Sequence, residues 1–277
     1  MIFNESLLML ALLACSTGIL AGFLAGLFGV GGGIIVVPAL YHLFIAMGCS
    51  GETAMSMAVS TSLLCIIPTS ISSIKAHWRL NNIAWYCLRF WSPALFLGAL
   101  IGALGVSNLR GSWLQGIFAA LLGIVAIIIV VRLVVVFSTE RDTKEQRGGW
   151  GMLLSTFCIG CVSALAGVGG GALGGPLLVV RGFSAHRAVG TAAGFGFLIA
   201  LPAVLLILVL GSTRPDAPYG SFSLINFPAF LLIVSASVLT APFGAKFGKR
   251  LSHRMLSGIL ALLLVLLVIK MLIEITG

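Results

Sequence analysis

The sequence predicts an all-α polytopic membrane protein, built of two inverted repeats of about five helical segments, each with a glycine-rich broken or re-entrant helix pair. Three observations predict it. Of the 277 residues 60% are hydrophobic and 8% are charged, with mean hydropathy +1.18; a soluble domain carries about 25% charged residues. The pentapeptide GVGGG occurs at Gly29–Gly33 and again at Gly167–Gly171, each time with a proline, Pro38 or Pro176, at the same distance. Lys and Arg gather in a few loops that one topology puts on the same side.

In a bilayer every backbone polar group must be paired internally, which leaves helices or closed barrels. The apolar runs are continuous rather than alternating, so they are helices. The net charge of +9 belongs to loops, because cytoplasmic loops of membrane proteins are enriched in Lys and Arg. The expected partners are therefore the lipid bilayer and a small anionic substrate; nucleic acid is not expected, and a homo-oligomer is left open. The opening MIFNESLLML has no basic stretch and carries Glu5, so the first apolar run is expected to be a retained span.

Ten helical segments follow in order. The first five are Leu7–Phe28, Ile34–Met47, Ala54–Ile74, Ile83–Val106 and Trp113–Phe137. The charged stretch STERDTKEQRGG, Ser138–Gly149, separates them from Trp150–Ala166, Ala172–Val180, Ala188–Leu210, Ile225–Ala245 and Met255–Ile275. This divides the chain into a first transmembrane repeat (1–137), a cytoplasmic linker (138–149) and a second repeat (150–277). Most segments reach the ~20 residues a span needs. Ile34–Met47 and Ala172–Val180 do not; at 1.5 Å per residue they reach only about 21 and 14 Å. Both follow GVGGG directly.

The halves match in order. Besides the glycine motifs, Ala58-Val59-Ser60-Thr61 matches Ala188-Val189-Gly190-Thr191, and Gly98-Ala99 and Gly102-Ala103 match Thr240-Ala241 and Gly244-Ala245. With both termini outside and every segment crossing, all Lys and Arg except Arg110, Arg214 and Lys270 lie inside or near cytoplasmic helix ends, as the positive-inside rule requires. An odd number of segments per half makes the halves inverted. A re-entrant hairpin has the same parity, so charge leaves open whether the short helices cross or turn back. Trp78, Trp85, Trp113 and Trp150 fall near the expected interfaces.

Inverted repeats with interrupted helices are the plan of secondary transporters. The helices beginning after each glycine turn point their N-termini at it. A helix N-terminus carries about half a positive charge and free N–H donors, so it attracts anions. The candidate substrate-binding residues are therefore Gly29, Gly31, Gly32, Gly33 and Pro38, with Gly167, Gly169, Gly170, Gly171 and Pro176. Each proline loosens its short helix and frees carbonyls. Ser60, Thr61, Ser62 and Thr191 add hydroxyls that can donate to an oxyanion, or that can bond back to their own helix. Thr69, Ser70, Ser72 and Ser73 form another polar face. The alternative role of the glycines is close helix packing, as small residues serve in membranes.

No P-loop is present, and no cofactor is implied. His42, His77, His186 and His253 share no ligand spacing, so no metal site is expected; the last three sit in basic loops and are expected to be solvated or to face headgroups. Six cysteines lie mostly in apolar segments and behave as small hydrophobes. Cys158 and Cys161 form a C-x-x-C, and a membrane thiol–disulfide redox carrier is the rival function. Of the seven acidic residues none lies mid-span, which argues against proton coupling through a buried carboxylate.

At GFLAGLFGVGGGIIVVPAL (Gly22–Leu40), AVSTSL (Ala58–Leu63), ALAGVGGGALGGPLL and AVGTAAG the sequence resembles the TauE/SafE family of sulfite exporters, the TSUP permeases. The resemblance covers essentially the whole chain. It implies a permease that is not an enzyme, moving sulfite, sulfonates or other small organic anions across the cytoplasmic membrane. The second half departs from the first in having Ala-Leu-Gly-Gly before its proline where the first has Ile-Ile-Val-Val.

Overall fold

The apolar runs are helices throughout the computed structural model, which describes residues 2–29, 31–135 and 150–251 and positions 255, 258, 259, 262, 265 and 266. Among the described residues there are nine helices and one small hairpin: α1 (Ile2–Phe28), α2 (Gly33–Ala46), α3 (Gly51–Arg79), α4 (Trp85–Asn108), α5 (Gly111–Val135), α6 (Trp150–Leu165), α7 (Gly171–Val180), α8 (Ala185–Leu210), β1 (Ser221–Phe222), β2 (Ile225–Asn226) and α9 (Phe227–Gly248). Five of them, α3, α4, α5, α8 and α9, are long and apolar enough to cross a membrane. The protein is thus a multi-pass helical membrane protein. The expected linker 138–149 and most of the expected segment Met255–Ile275 lie outside the described residues.

The short helices are where glycine and proline put them. α2 has 14 residues and α7 has 10, and both carry their proline inside. Proline lacks an N–H, so Pro38 cannot donate to the Ile34 carbonyl, nor Pro176 to that of Ala172.

Helix α3 is central: 78% of its most apolar stretch is buried, against 28% for α9. It packs on α8 at the middle of the bundle. Around this pair the contacts come in corresponding couples. α1 lies along α9 as α6 lies along α4, and α9 meets α3 as α4 meets α8. Lipid tails give helices no hydrophobic reason to associate, so close backbone packing at small residues supplies the attraction. A methyl at Gly22 of α1 would run into the Ser237 carbonyl of α9, and one at Gly160 of α6 into the Leu95 carbonyl of α4. A methyl at Gly244 of α9 would strike the Phe23 carbonyl, and one at Gly102 of α4 the Cys161 carbonyl. Trp78, Trp85, Trp113 and Trp150 are all exposed near helix ends, while Trp91 is buried against Phe195.

The hairpin closes one end of the bundle. Phe222 pairs with Ile225 and Ser221 with Asn226; Ser223 takes the left-handed φ of 56° in the turn between them. Leu224, Ile225 and Asn226 are buried. The expected helix from Ile225 starts at Phe227 instead, because Asn226 caps it, its side-chain oxygen accepting from Ala229 N at 2.9 Å. At the same end Ser50 N and Thr53 Oγ1 donate to the two carboxylate oxygens of Asp216, at 2.8 and 2.7 Å. The backbone N–H of Ser50 first, then the hydroxyls of Ser50 and Thr53, hold the Asp216 carboxyl down at about 2.

Candidate functional site

The two glycine motifs meet in the interior. Gly29 and Gly167, matched positions, share the same left-handed φ of +66°, which glycine adopts without steric cost. A side chain at Gly29 would collide with the Val189 carbonyl, and one at Gly167 would lie 2.8 Å from Val59 Cα. Val59 and Val189 are themselves matched, so each turn is seated against the other half's long central helix at the corresponding residue. The turns also touch one another. A methyl on Gly31 would sit 3.4 Å from Gly169 Cα, and one on Gly33 would lie 2.9 Å from Val168 Cα. Ile66, midway along α3, packs on both Gly31 and Gly33.

Helices α2 and α7 begin at this junction, from Gly32 and Gly170, and no side chain caps either start. By contrast Ser50 caps α3 and Asn226 caps α9. The turns are not identical. Gly31 and Gly32 also take positive φ, whereas Gly170 is right-handed at φ −56° and packs on Phe195. Gly171 opens α7 and is buried; Pro38 is buried and Pro176 half-buried. The junction thus brings all the expected glycines and two helix N-termini to one place.

The expected hydroxyls divide. Ser62 Oγ donates to the Gly167 carbonyl at 2.8 Å and so belongs to the junction. Ser60 Oγ bonds back to the Ser56 carbonyl at 2.8 Å. Thr61 and Thr191 act between helices instead. Thr61 Oγ1 accepts from Asn226 N, at the start of α9, at 3.1 Å. Thr191 Oγ1 accepts from Ala84 N, at the start of α4, at 2.9 Å, and donates to the Arg187 carbonyl at 2.8 Å. Thr61 lies between Val59 and Ser62, which both meet Gly167, and Thr191 lies two residues after Val189, which meets Gly29, so both stand beside the turns with their oxygens engaged by backbone amides of the other half.

The buried polar side chains among the described residues are hydroxyls, Asn226 and His77. No Lys or Arg is among them, so the field at the junction comes from helix ends and hydroxyl dipoles. Ser70 and Ser163 are fully buried and their Oγ atoms have no hydrogen-bond partner. Ser70 faces Gly196 of α8, and Ser163 lies in the last turn of α6 before Gly167. Sequence periodicity marked Ser70 only as part of a polar face and passed over Ser163. Thr69, Ser72 and Ser73 of that face reach α9 and α1, bonding Ser237 Oγ at 2.8 Å, the Val238 carbonyl at 2.9 Å and the Ala25 carbonyl at 3.4 Å.

His77 is a correction. It was expected to be solvated or to face headgroups, yet it is 4% exposed, with Nε2 at 2.9 Å from the Gly26 carbonyl near the end of α1. The last turn of α3 extends past Ile74, where the sequence suggested it ended, and carries the imidazole into the helix contact. His253 lies outside the described residues. Among the described residues no group of three or more His, Cys, Asp or Glu converges on a metal-sized space. Cys158 is exposed and Cys161 half-buried, and both are free thiols.

The family described as "Sulfite exporter TauE/SafE" matches residues 14–271 of this chain. A "probable membrane transporter protein" of Haemophilus influenzae is 33% identical over 234 residues, 84% of this chain and 87% of that protein. One of the same description from Methanocaldococcus jannaschii is 26% identical over 243 residues, 87% of each. A third, YunE of Bacillus subtilis, is 28% identical over 179 residues, 59% of this chain and 65% of that protein. No solved structure matches the chain. The family and these relatives are transporters rather than enzymes.

Proposed function

The chain belongs to the TauE/SafE sulfite exporter family, and on that premise we propose that this membrane transporter is a secondary carrier exporting small sulfur-containing oxyanions, such as sulfite or organosulfonates, across the cytoplasmic membrane. Another small organic anion is the alternative cargo. The observation that carries the reading is the contact of Gly31 with Gly169, where the side-chain-uncapped starts of α2 and α7 converge. Two partial positive charges there favour an anion with several acceptor oxygens. With no buried Lys or Arg among the described residues to trap the ligand, affinity stays moderate and release on the far side is easy.

The two halves are inverted repeats in this proposal, with both termini outside. The corresponding couples of helix contacts, and the like seating of Gly29 on Val189 and Gly167 on Val59, support that symmetry. Alternating access is a rocking of one half on the other about the glycine junction.

Counterflow of labelled sulfite in proteoliposomes tests the reading, with isethionate, acetate, chloride and a neutral solute as competitors. Sulfite exchange inhibited by the sulfonate and not by the neutral solute is expected. Competition by the neutral solute and by none of the anions would overturn it.

A further inference from the structure

We propose that His77 is the proton-binding site that couples this carrier, a role that rests on the anion-carrier reading above. Apart from cysteine thiols, His77 is the sole acid–base side chain among the buried described residues. An ionisable residue inside a membrane bundle is costly and marks function by default. Its geometry is specific. The Gly26 carbonyl can only accept, so Nε2, 2.9 Å away, carries the hydrogen. In the neutral ring Nδ1 is then a bare acceptor. That Nδ1 is buried and has no hydrogen-bond partner. It is a lone pair held ready for a proton inside the helix contact.

The surroundings explain why an anion and a proton would travel together. The end of α1 carries a partial negative charge, which favours imidazolium, but from Gly22 to Phe28 that helix has no titratable group. The start of α8, which packs on α3, carries His186 and Arg187. Lys75 and Arg79 lie on α3 itself, Arg89 near the start of α4, and Lys246 near the end of α9. Among the described residues no carboxylate accompanies them. A proton on Nδ1 therefore gains its counter-charge when an anion enters. By reciprocity, a proton on Nδ1 strengthens anion binding by the same factor. The coupling has a mechanical route: the Gly26 carbonyl that His77 holds is three residues before Gly29, where the first glycine turn begins. The proton enters Nδ1 from water on one side of the membrane and leaves it to water on the other. With a monovalent anion the step moves no net charge.

The experiment uses proteoliposomes and labelled isethionate, a sulfonate that stays ionised across the working pH range. A tenfold proton gradient should shift wild-type accumulation of the label by up to tenfold. His77→Gln keeps an amide N–H for the Gly26 carbonyl and cannot titrate. Lacking the proton that strengthens anion binding, it should need more isethionate to saturate counterflow, and its accumulation should ignore the gradient. In a variant with the other histidines changed to Gln, bound isethionate should also raise the fraction of Nδ1 that holds a proton taken from water, read by 15N NMR of labelled histidine. That measurement serves if His77→Gln fails to fold. Wild-type accumulation that does not respond to the gradient, a gradient response surviving in His77→Gln, or an imidazole unchanged by isethionate would each overturn the proton site and leave the carrier standing. Absence of wild-type counterflow of both sulfite and isethionate would remove the carrier reading, and the proton site with it.

Discussion

Thr191 Oγ1 accepts the backbone N–H of Ala84 at 2.9 Å, and Thr61, its match in the first half, accepts that of Asn226 at 3.1 Å. Each threonine thus receives the N–H of the residue just before a helix of the opposite half. Replacing either by Val keeps the shape and leaves a buried N–H without an acceptor, at a cost of about 1–3 kcal/mol. Thr61→Val and Thr191→Val should therefore lower the unfolding temperature in detergent, and Thr→Ser at either position should restore it. Lost transport with unchanged melting would place the hydroxyls on the substrate instead.

Local periodicity made most of the helices legible, because an apolar run flanked by glycine or by charge has few ways to end inside a bilayer. The breaks at Gly29 and Gly167 were readable for the same reason. What periodicity does not carry is the partner of a side chain from a distant segment. The matched threonines were visible as a pair, but their long-range bonds to Asn226 and Ala84 were not. His77 looked like a loop residue because basic neighbours Lys75 and Arg79 flank it; the next helix turn and α1 bury it. The hairpin at Ser221–Asn226 was hidden too, since two-residue strands leave no alternation to detect.

Asp216 ties the loop between α8 and α9 to the start of α3. The carboxyl is held near 2, below its ordinary 3.8, so its bonds to Ser50 and Thr53 contribute fully above the ordinary value. The contribution fades as pH falls from about 4 toward 2. The loop should therefore stay fastened throughout the neutral range. Asp216→Asn should raise amide hydrogen exchange in residues 211–226 at neutral pH, with α4 to α6 unaffected. Unchanged exchange there would show that the buried hairpin residues hold the loop unaided.

The proposed topology places Lys249 inside and Tyr219 outside. Tyr219 is 97% exposed and position 249 is exposed as well, so both accept a probe without unfolding. On a cysteine-free background, a cysteine at 219 should react with an impermeant maleimide in intact cells. One at 249 should react only after the membrane is opened. Labelling of 249 from outside would reverse the inverted arrangement.

The glycine junction gives the sharpest expectation, because two kinds of glycine can be compared in one chain. At Gly29 and Gly167 an alanine meets both a left-handed φ of +66° and backbone of the opposite half. At Gly31 and Gly32 it meets φ of +76° and +79°, and at Gly170 it meets Phe195. At Gly116 and Gly123 of α5 the added methyl meets nothing within 4 Å; there alanine should be harmless, and it favours the helix by about 0.5–1 kcal/mol. Alanine at Gly31, Gly32, Gly169 or Gly170 should abolish sulfite counterflow while membrane insertion is largely retained. Alanine at Gly116 or Gly123 should leave counterflow within about twofold, as ~0.4 kcal/mol corresponds to a factor of two. If flux persists in the four junction variants, the glycines serve helix packing alone and the anion site lies elsewhere. If the α5 variants lose flux as well, the junction has no special standing among the glycines of the bundle.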